Sequence, residues 1–279
     1  MKIKGRNIKQ KINNINVSFN DLGRKEAPSI IFIHGFPFNK SIWDAQAEAL
    51  KDNYRVITYD IRGHGESSVG MEIFTIELFV KDLIALMDIL KIKKTIICGL
   101  SMGGYIALNA IENYPERFEA LILSDTQSIA DTPEVKEKRM NAVDAIRKHG
   151  VEKFANESIK NLFSSESFKT KTAEIAAVKA MILSTAEQVL YFTLLALTNR
   201  KGTSGNLPNI KVPVLIMVGE EDKITPPAQA RYMHEKTNDS VLATISQSAH
   251  IPNLENTPAF NEPLIEFLNS ISKMALKTP

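Results

Sequence analysis

The sequence predicts an α/β protein, with a mostly parallel sheet, helices on both of its faces and one all-helical insertion. Three observations predict this. Short β-branched runs alternate with helix-period stretches along most of the chain, the pattern of parallel strands joined by right-handed helical crossovers. The alternation stops after Asp125, leaves no convincing strand between Pro133 and Leu197, and resumes at Val212. A β-branched run, Lys94–Cys98, passes without a break into Gly99-Leu100-Ser101-Met102-Gly103-Gly104 and then into the helix-forming Tyr105–Ile111.

The elements follow in order. Residues 1–20 alternate weakly around Asn13-Asn14, which predicts an edge hairpin. Asp21–Pro28 is polar and reads as a loop. Ser29–Ile33 is continuously apolar, as in a strand buried on both faces. His34-Gly35-Phe36 follows it, and Ser41 caps a helix over Ile42–Leu50. Tyr54–Tyr59 is the next strand and ends in the glycine-punctuated Asp60–Ser68. Phe79, Leu83, Leu86 and Leu90 set a helix period within Thr75–Leu90. After the central strand and helix, Ala120–Ser124 is a buried strand ending at Asp125. Helices are expected around 134–149, 151–162, 167–183 and 186–198, the first of them a charged, solvated face. Lys201–Asn206 is a return loop. Val212–Val218, a helix over roughly 228–236, Val241–Ile245 and a closing helix from Pro258 to about Met274 complete the chain. The division is therefore a core of 1–125 and 207–279 with an insertion of 126–206.

Composition bounds the class. Apolar residues at 44% and charged residues at 24% suffice for an ordinary core. A net charge of +2 with scattered cations gives no basis for a nucleic-acid partner. One cysteine, Cys98, excludes an internal disulfide and fits a cytoplasmic setting. No Cys/His cluster has metal-ligand spacing, the first ten residues lack the apolar segment of a signal peptide, and no run is long enough to span a membrane. The expectation is a cytoplasmic monomer or homodimer with no metal, cofactor or membrane partner.

Gly-x-Ser-x-Gly between a strand and a helix has the form of a nucleophile elbow, with Ser101 at the apex and at a helix N-terminus. A serine hydroxyl needs a positioned base, and the base needs a supporting carboxylate. An α/β sheet presents such groups in loops at the carboxyl ends of strands. Of five histidines, His149 and His234 fall within helices, and His34 and His64 precede glycines in loops as structural residues. His250, after the last strand, is the candidate base. Asp222, after Val214–Val218, is the candidate acid, with Asp125 its rival. The chain order Ser101, Asp222, His250 favours Asp222. The backbone N–H groups of Met102 and Phe36 are the candidate oxyanion donors.

On these residues the chain resembles the α/β-hydrolase superfamily over nearly its whole length. The matching motifs are His34-Gly35-Phe36, Asp60-Ile61-Arg62-Gly63-His64-Gly65-Glu66-Ser67, Gly99–Gly104, and Gly219-x-x-Asp222 with the later His250. The elbow and the Arg-Gly-His-Gly loop resemble the small esterase, 3-oxoadipate enol-lactonase-like, C–C hydrolase and haloperoxidase-like branches. The family usually carries glycine before the base, and here Ala249 stands there. The resemblance implies an eight-stranded α/β-hydrolase sheet with the insertion as a cap. It also implies hydrolysis of a small carboxylic ester through an acyl-enzyme without a cofactor, with an enol-lactone or C–C bond as the alternative substrate. Outside catalysis, the alternative is a hydrolase-fold ligand sensor. The expected pocket residues are Phe36, Trp43, Met102, Met181 and Tyr191, with Phe163, Leu183, Leu190, Phe192 and Leu195 as further candidates that serve equally to pack the insertion. With no cation assigned to the pocket, the expected substrate is an uncharged or weakly polar ester of short to medium acyl chain.

Overall fold

A computed structural model describes residues 2–275, with side chains from 5 to 273. Met1, the start of the expected hairpin, lies outside the described residues. Eight strands form one sheet in the order β1-β2-β4-β3-β5-β6-β7-β8. β1 (Lys2–Ile12) and β2 (Ile15–Arg24) make an antiparallel edge hairpin. Asn13 and Asn14 hold its turn in left-handed backbone, φ 45° and 64°, which short polar side chains tolerate. β2 is antiparallel to β4 (Arg55–Tyr59), and from there β3 (Ser29–Ile33), β5 (Thr95–Leu100), β6 (Phe118–Ser124), β7 (Val214–Gly219) and β8 (Ser240–Ile245) run parallel. All six parallel strands therefore deliver their following loops to one edge of the sheet.

Asp21–Arg24 were expected in a loop, yet they extend β2. Asp21 and Leu22 pair with Ile57 and Val56 of β4. The Asp21 carboxylate accepts two hydrogen bonds from the Arg55 guanidinium, at 3.0 and 2.7 Å. A bidentate partner satisfies the buried charge and removes the polar penalty that favoured a loop.

The strand period of two sorts the core onto two faces. Ile31, Ile33, Ile97, Leu121, Leu123 and Ile216 pack on one side with α2 (Ile76–Ile89) and α3 (Met102–Asn113). Ile30, Phe32, Ile96, Cys98, Ile122 and Leu215 pack on the other with α1 (Asp44–Leu50) and the last helix. The Thr75 hydroxyl accepts from the N–H of Leu78 to cap α2, and the helix buries Phe79, Leu83 and Leu86 at helical spacing.

Between β6 and β7 the described chain is helical. α4 (Pro133–Leu162) is broken at Gly150, which takes φ 79° and ψ 172°. The stretch expected around 167–183 is two helices, α5 (Ser167–Thr170) and α6 (Thr172–Ser184), because Lys171 leaves helical backbone between them. α7 (Glu187–Asn199) follows and packs on α4. Val143, Ile146, Leu190 and Leu194 make a small apolar cluster within this segment. Leu162, Phe163, Val178 and Ile182 join it to the sheet-side core. α8 (Pro227–Lys236), α9 (Pro252–Glu255) and α10 (Thr257–Ala275) complete the helices. Among the described residues, no single helix is long and apolar enough to cross a membrane.

Candidate active site

Ser101 stands between β5 and α3 with φ 53° and ψ −113°, a strained conformation for a residue with a side chain. The elbow is tight enough to need its glycines. A Cβ on Gly99 would lie 2.2 Å from the Gly103 carbonyl oxygen, and one on Gly103 would lie 2.3 Å from the Ile33 carbonyl oxygen. The strained residue is held from the neighbouring strand: its N–H donates to the Ser124 carbonyl at 2.9 Å, and its carbonyl accepts from Thr126 Oγ1 at 2.8 Å.

The structure brings Ser101, His250 and Asp222 together, with His250 between the other two. His250 Nε2 is 2.9 Å from Ser101 Oγ, and His250 Nδ1 is 2.9 Å from Asp222 Oδ2. His250 is buried, and its own N–H donates to the Leu162 carbonyl at 3.1 Å. Asp222 accepts further bonds from the N–H groups of Ile224 and Thr225 and from Thr225 Oγ1, at 2.8, 3.2 and 2.7 Å. Burial pushes its carboxyl up. The charge and hydrogen bond of His250, with those from Thr225 and Ile224, outweigh burial and hold it below the ordinary range.

Asp125, the rival acid, is not bonded to His250. It accepts from the N–H of Gly219 at 2.8 Å and from Ser124 Oγ at 2.7 Å, so it ties the end of β6 to the start of the loop bearing Asp222. Burial first, and then the neighbouring Asp222 charge, raises its carboxyl well above the ordinary range. Of the two carboxyls, Asp222 is therefore the one whose surroundings favour the ionised form. Asp125, Asp222 and His250 have ligand-type atoms within 4.8 Å of one another, but those atoms are already committed to the hydrogen bonds just given.

Phe36 and Met102 flank the serine. A Cβ on Gly35 would stand 3.1 Å from Ser101 Cβ, so the loop after β3 lies directly against the elbow. No acceptor among the described residues pairs with the N–H of Phe36, and the Met102 N–H sits in the first helical position, which has no intrahelical partner. His34 and His64 brace this loop region. His34 Nε2 accepts from the N–H of Ile61 at 2.9 Å, and His64 Nδ1 donates to the Arg62 carbonyl at 3.1 Å. Burial lowers His34 to about 4 and His64 to about 3, so both rings are neutral near pH 7.

Ser101 and His250 open into a cavity of about 630 Å³ roofed by α4 and α7. Phe36 and Met102 line it, as expected. Trp43, Met181 and Tyr191 do not. Trp43 is fully buried between Phe32 and Phe260, with ring centroids 4.9 and 6.1 Å away. Met181 turns its sulfur toward Ser41 Oγ at 4.0 Å. Tyr191 lies beneath the Arg147 guanidinium at 4.5 Å. Phe163, Leu183, Leu190, Phe192 and Leu195 are likewise absent from the lining. Of these, Phe163 and Leu190 are spent on packing the insertion.

Eight of the lining residues that were missed lie on α4. Val135, Lys138, Arg139 and Ala142 all line the cavity, as do Phe154, Ser158, Asn161 and Leu162. Each set follows helical i, i+3/i+4, i+7 spacing, and the first lies on the stretch around 134–149 that was expected to be a solvated face. Together with Lys223, the lining carries three cations where none was assigned. The spacing of Val135 and Ala142 around Lys138 and Arg139 was the available signal, masked by the density of charge.

Comparison with known proteins finds relatives over most of the chain. The chain is 29% identical to 3-oxoadipate enol-lactonase 2 of Acinetobacter baylyi over 88% of its length and 90% of the relative's. A malate-bound thermophilic esterase from Thermogutta terrifontis superposes with a TM-score of 0.89 at 31% identity, covering 97% of this chain and 99% of that one. The enol-lactonase from Burkholderia xenovorans LB400 gives a TM-score of 0.88 at 27% identity, covering 94% and 100%. A family profile described as alpha/beta hydrolase fold matches residues 28–257, and the chain belongs to that family.

Proposed function

We propose that the protein hydrolyses a small carboxylic ester through a covalent acyl-enzyme on Ser101. The observation that carries this reading is the unbroken relay from Ser101 Oγ through His250 to Asp222, at 2.9 Å for each step, on the floor of a cavity. His250 Nε2 takes the proton as Ser101 Oγ attacks the carbonyl carbon. Asp222, ionised and fixed by Thr225 and Ile224, holds the imidazole in the tautomer with hydrogen on Nδ1 and supports its positive charge. The N–H groups of Phe36 and Met102 face the oxygen that becomes negative. His250 returns its proton to the leaving alcohol, then activates a water that releases the acid and restores the serine. The segment 126–206 acts as a cap on a core of 1–125 and 207–279. It supplies the roof of the cavity from α4 and α7.

The same steps open a lactone, and the two enol-lactonase relatives support that second reading. The test is turnover of p-nitrophenyl acetate and of an enol-lactone by the wild type and by Ser101→Ala. The wild type turns over at least one of them, and the variant retains at most a background about 10³–10⁴-fold over water. Undiminished turnover in Ser101→Ala, or no labelling of Ser101 by a fluorophosphonate, removes the reading.

A further inference from the structure

The charges lining the cavity do not balance, and the imbalance specifies a ligand. Asp131 is the one acid in the lining, against Lys138, Arg139 and Lys223. Asp131 is also fully claimed. Its Oδ2 accepts from Arg139 Nε at 2.5 Å and its Oδ1 from Arg200 Nη2 at 2.7 Å. Arg200 is in turn fixed by the Ile129 carbonyl at 2.6 Å, with its Cζ 4.0 Å from the Tyr105 ring centroid. Asp131 therefore acts as a brace that orients Arg139 by its inner nitrogen. The two terminal nitrogens of Arg139 have no acceptor among the described residues, and neither Lys138 nor Lys223 has an ion-pair partner among them.

A guanidinium held by Nε and free at its fork presents two parallel N–H donors, the geometry that binds a carboxylate bidentately. Arg139 is only partly exposed, with 20% of its side chain accessible, so a carboxylate meeting it there is partly shielded from solvent and weakly screened by salt. The same wall carries the apolar Phe36, Met102 and Leu194. A site built this way favours a molecule with an uncharged reacting carbonyl at one end and an anion at the other.

We infer that Arg139, in a wall that also carries Lys138 and Lys223, forms a carboxylate subsite, and that the substrate is an ester or lactone bearing a free carboxylate. This rests on the reading above that the substrate carbonyl is attacked by Ser101. It replaces the uncharged ester expected from the sequence. Arg139 is a specificity-determining residue, and its effect falls on the choice between charged and neutral substrates.

The test compares matched pairs. In one arm the carboxylate is on the acyl side, the mono-p-nitrophenyl ester of glutaric acid against p-nitrophenyl valerate. In the other it is on the leaving group, 4-acetoxybenzoate against its methyl ester. The wild type should prefer the charged member of at least one pair by tenfold or more in kcat/KM, and the preference should shrink as ionic strength rises. Arg139→Gln should lower that charged-to-neutral ratio at least tenfold, and Arg139→Lys should lower it less. A ratio of one or below in both arms, or a ratio that Arg139→Gln and Lys138→Gln both leave unmoved, overturns the subsite. If the wild type turns over none of the four, nor p-nitrophenyl acetate nor an enol-lactone, the hydrolase reading has failed, and binding then decides the subsite alone; if it turns over only p-nitrophenyl acetate or the enol-lactone, binding decides the subsite as well. Titration of methyl hydrogen glutarate into Ser101→Ala protein should saturate and weaken at least tenfold with Arg139→Gln added. No saturable binding overturns it.

Discussion

The Glu255 carboxylate accepts a hydrogen bond from the backbone N–H of Ala249, at 2.7 Å, one residue before His250. Its other oxygen accepts from the N–H of Ser164 and from Ser167 Oγ, both at 2.7 Å. One buried side chain thus joins the loop carrying His250 to the stretch between α4 and α5, and the His250 N–H donates to Leu162 at the end of α4. The loop is set from the helical insertion as well as from the sheet.

This makes Glu255 a positioning residue. Glu255→Ala strands three buried donors, each at a cost of about 1–3 kcal/mol. Glu255→Gln keeps one acceptor oxygen and should fold. With the loop under-braced, kcat should fall about tenfold while KM holds within about twofold, since misplacement of a catalytic group is paid in the transition state. Steady-state kinetics beside a melting curve separate the cases: a lower melting temperature with wild-type kcat assigns Glu255 to stability alone.

The two aspartates predict opposite outcomes. Asp222 alone touches His250, so Asp222→Asn should cost about 10⁴-fold in kcat by stabilising the wrong imidazole tautomer. Asp125 does not touch His250 and accepts from Gly219 and Ser124. Asparagine keeps the side chain's shape and can still accept from Gly219, so Asp125→Asn should stay within about threefold of wild type. Equal losses in both variants, read as kcat on a p-nitrophenyl ester, would contradict the assignment.

Much of this was legible in the residues because the local signals coincided with the period of the fold. Ile30–Ile33 and Ile96–Cys98 are apolar on both faces, and they are the central strands. Gly-x-Ser-x-Gly names its turn, and His250 and Asp222 fall in post-strand loops. The unreadable parts depend on which side of a helix meets which neighbour. Trp43, Met181 and Tyr191 are large and apolar, as core residues are, and core claimed Trp43. Lys138 and Arg139 are charged, as solvated residues are, and the cavity claimed them. Glu255 gave no signal because its partners, the N–H groups of Ala249 and Ser164, belong to backbone, which composition does not display.

The elbow predicts a strong contrast between two glycines. A Cβ on Gly103 would stand 2.3 Å from the Ile33 carbonyl oxygen, backbone on both sides, whereas one on Gly205 meets nothing within 4 Å. Gly103→Ala should therefore destabilise by upwards of about 3 kcal/mol. Gly205→Ala should be neutral or raise stability by up to about 1 kcal/mol by restricting the unfolded chain. Denaturant midpoints measured side by side check this, and matching midpoints would mean the elbow yields where close backbone contact says it cannot.

Stability should fall with pH below 6.5 because of His34 and His64. Both rings are fully buried and hydrogen-bonded in neutral form, lowered by burial from the ordinary 6.5 to about 4 and about 3. Below pH 6.5 the unfolded chain takes up protons at these rings and the folded chain does not, so the contribution is present above 6.5 and is lost as pH falls towards 4. The unfolded rings are half protonated at pH 6.5 and almost fully so at 5.5, so each ring removes about 1 kcal/mol across that unit, or about 2 kcal/mol for the pair. Denaturant unfolding at those two values measures the drop, and NMR of the imidazole protons should find two rings that do not titrate down to pH 5. A flat stability profile between 6.5 and 5.5, or five histidines all titrating there, would show that these rings carry protons in the folded state.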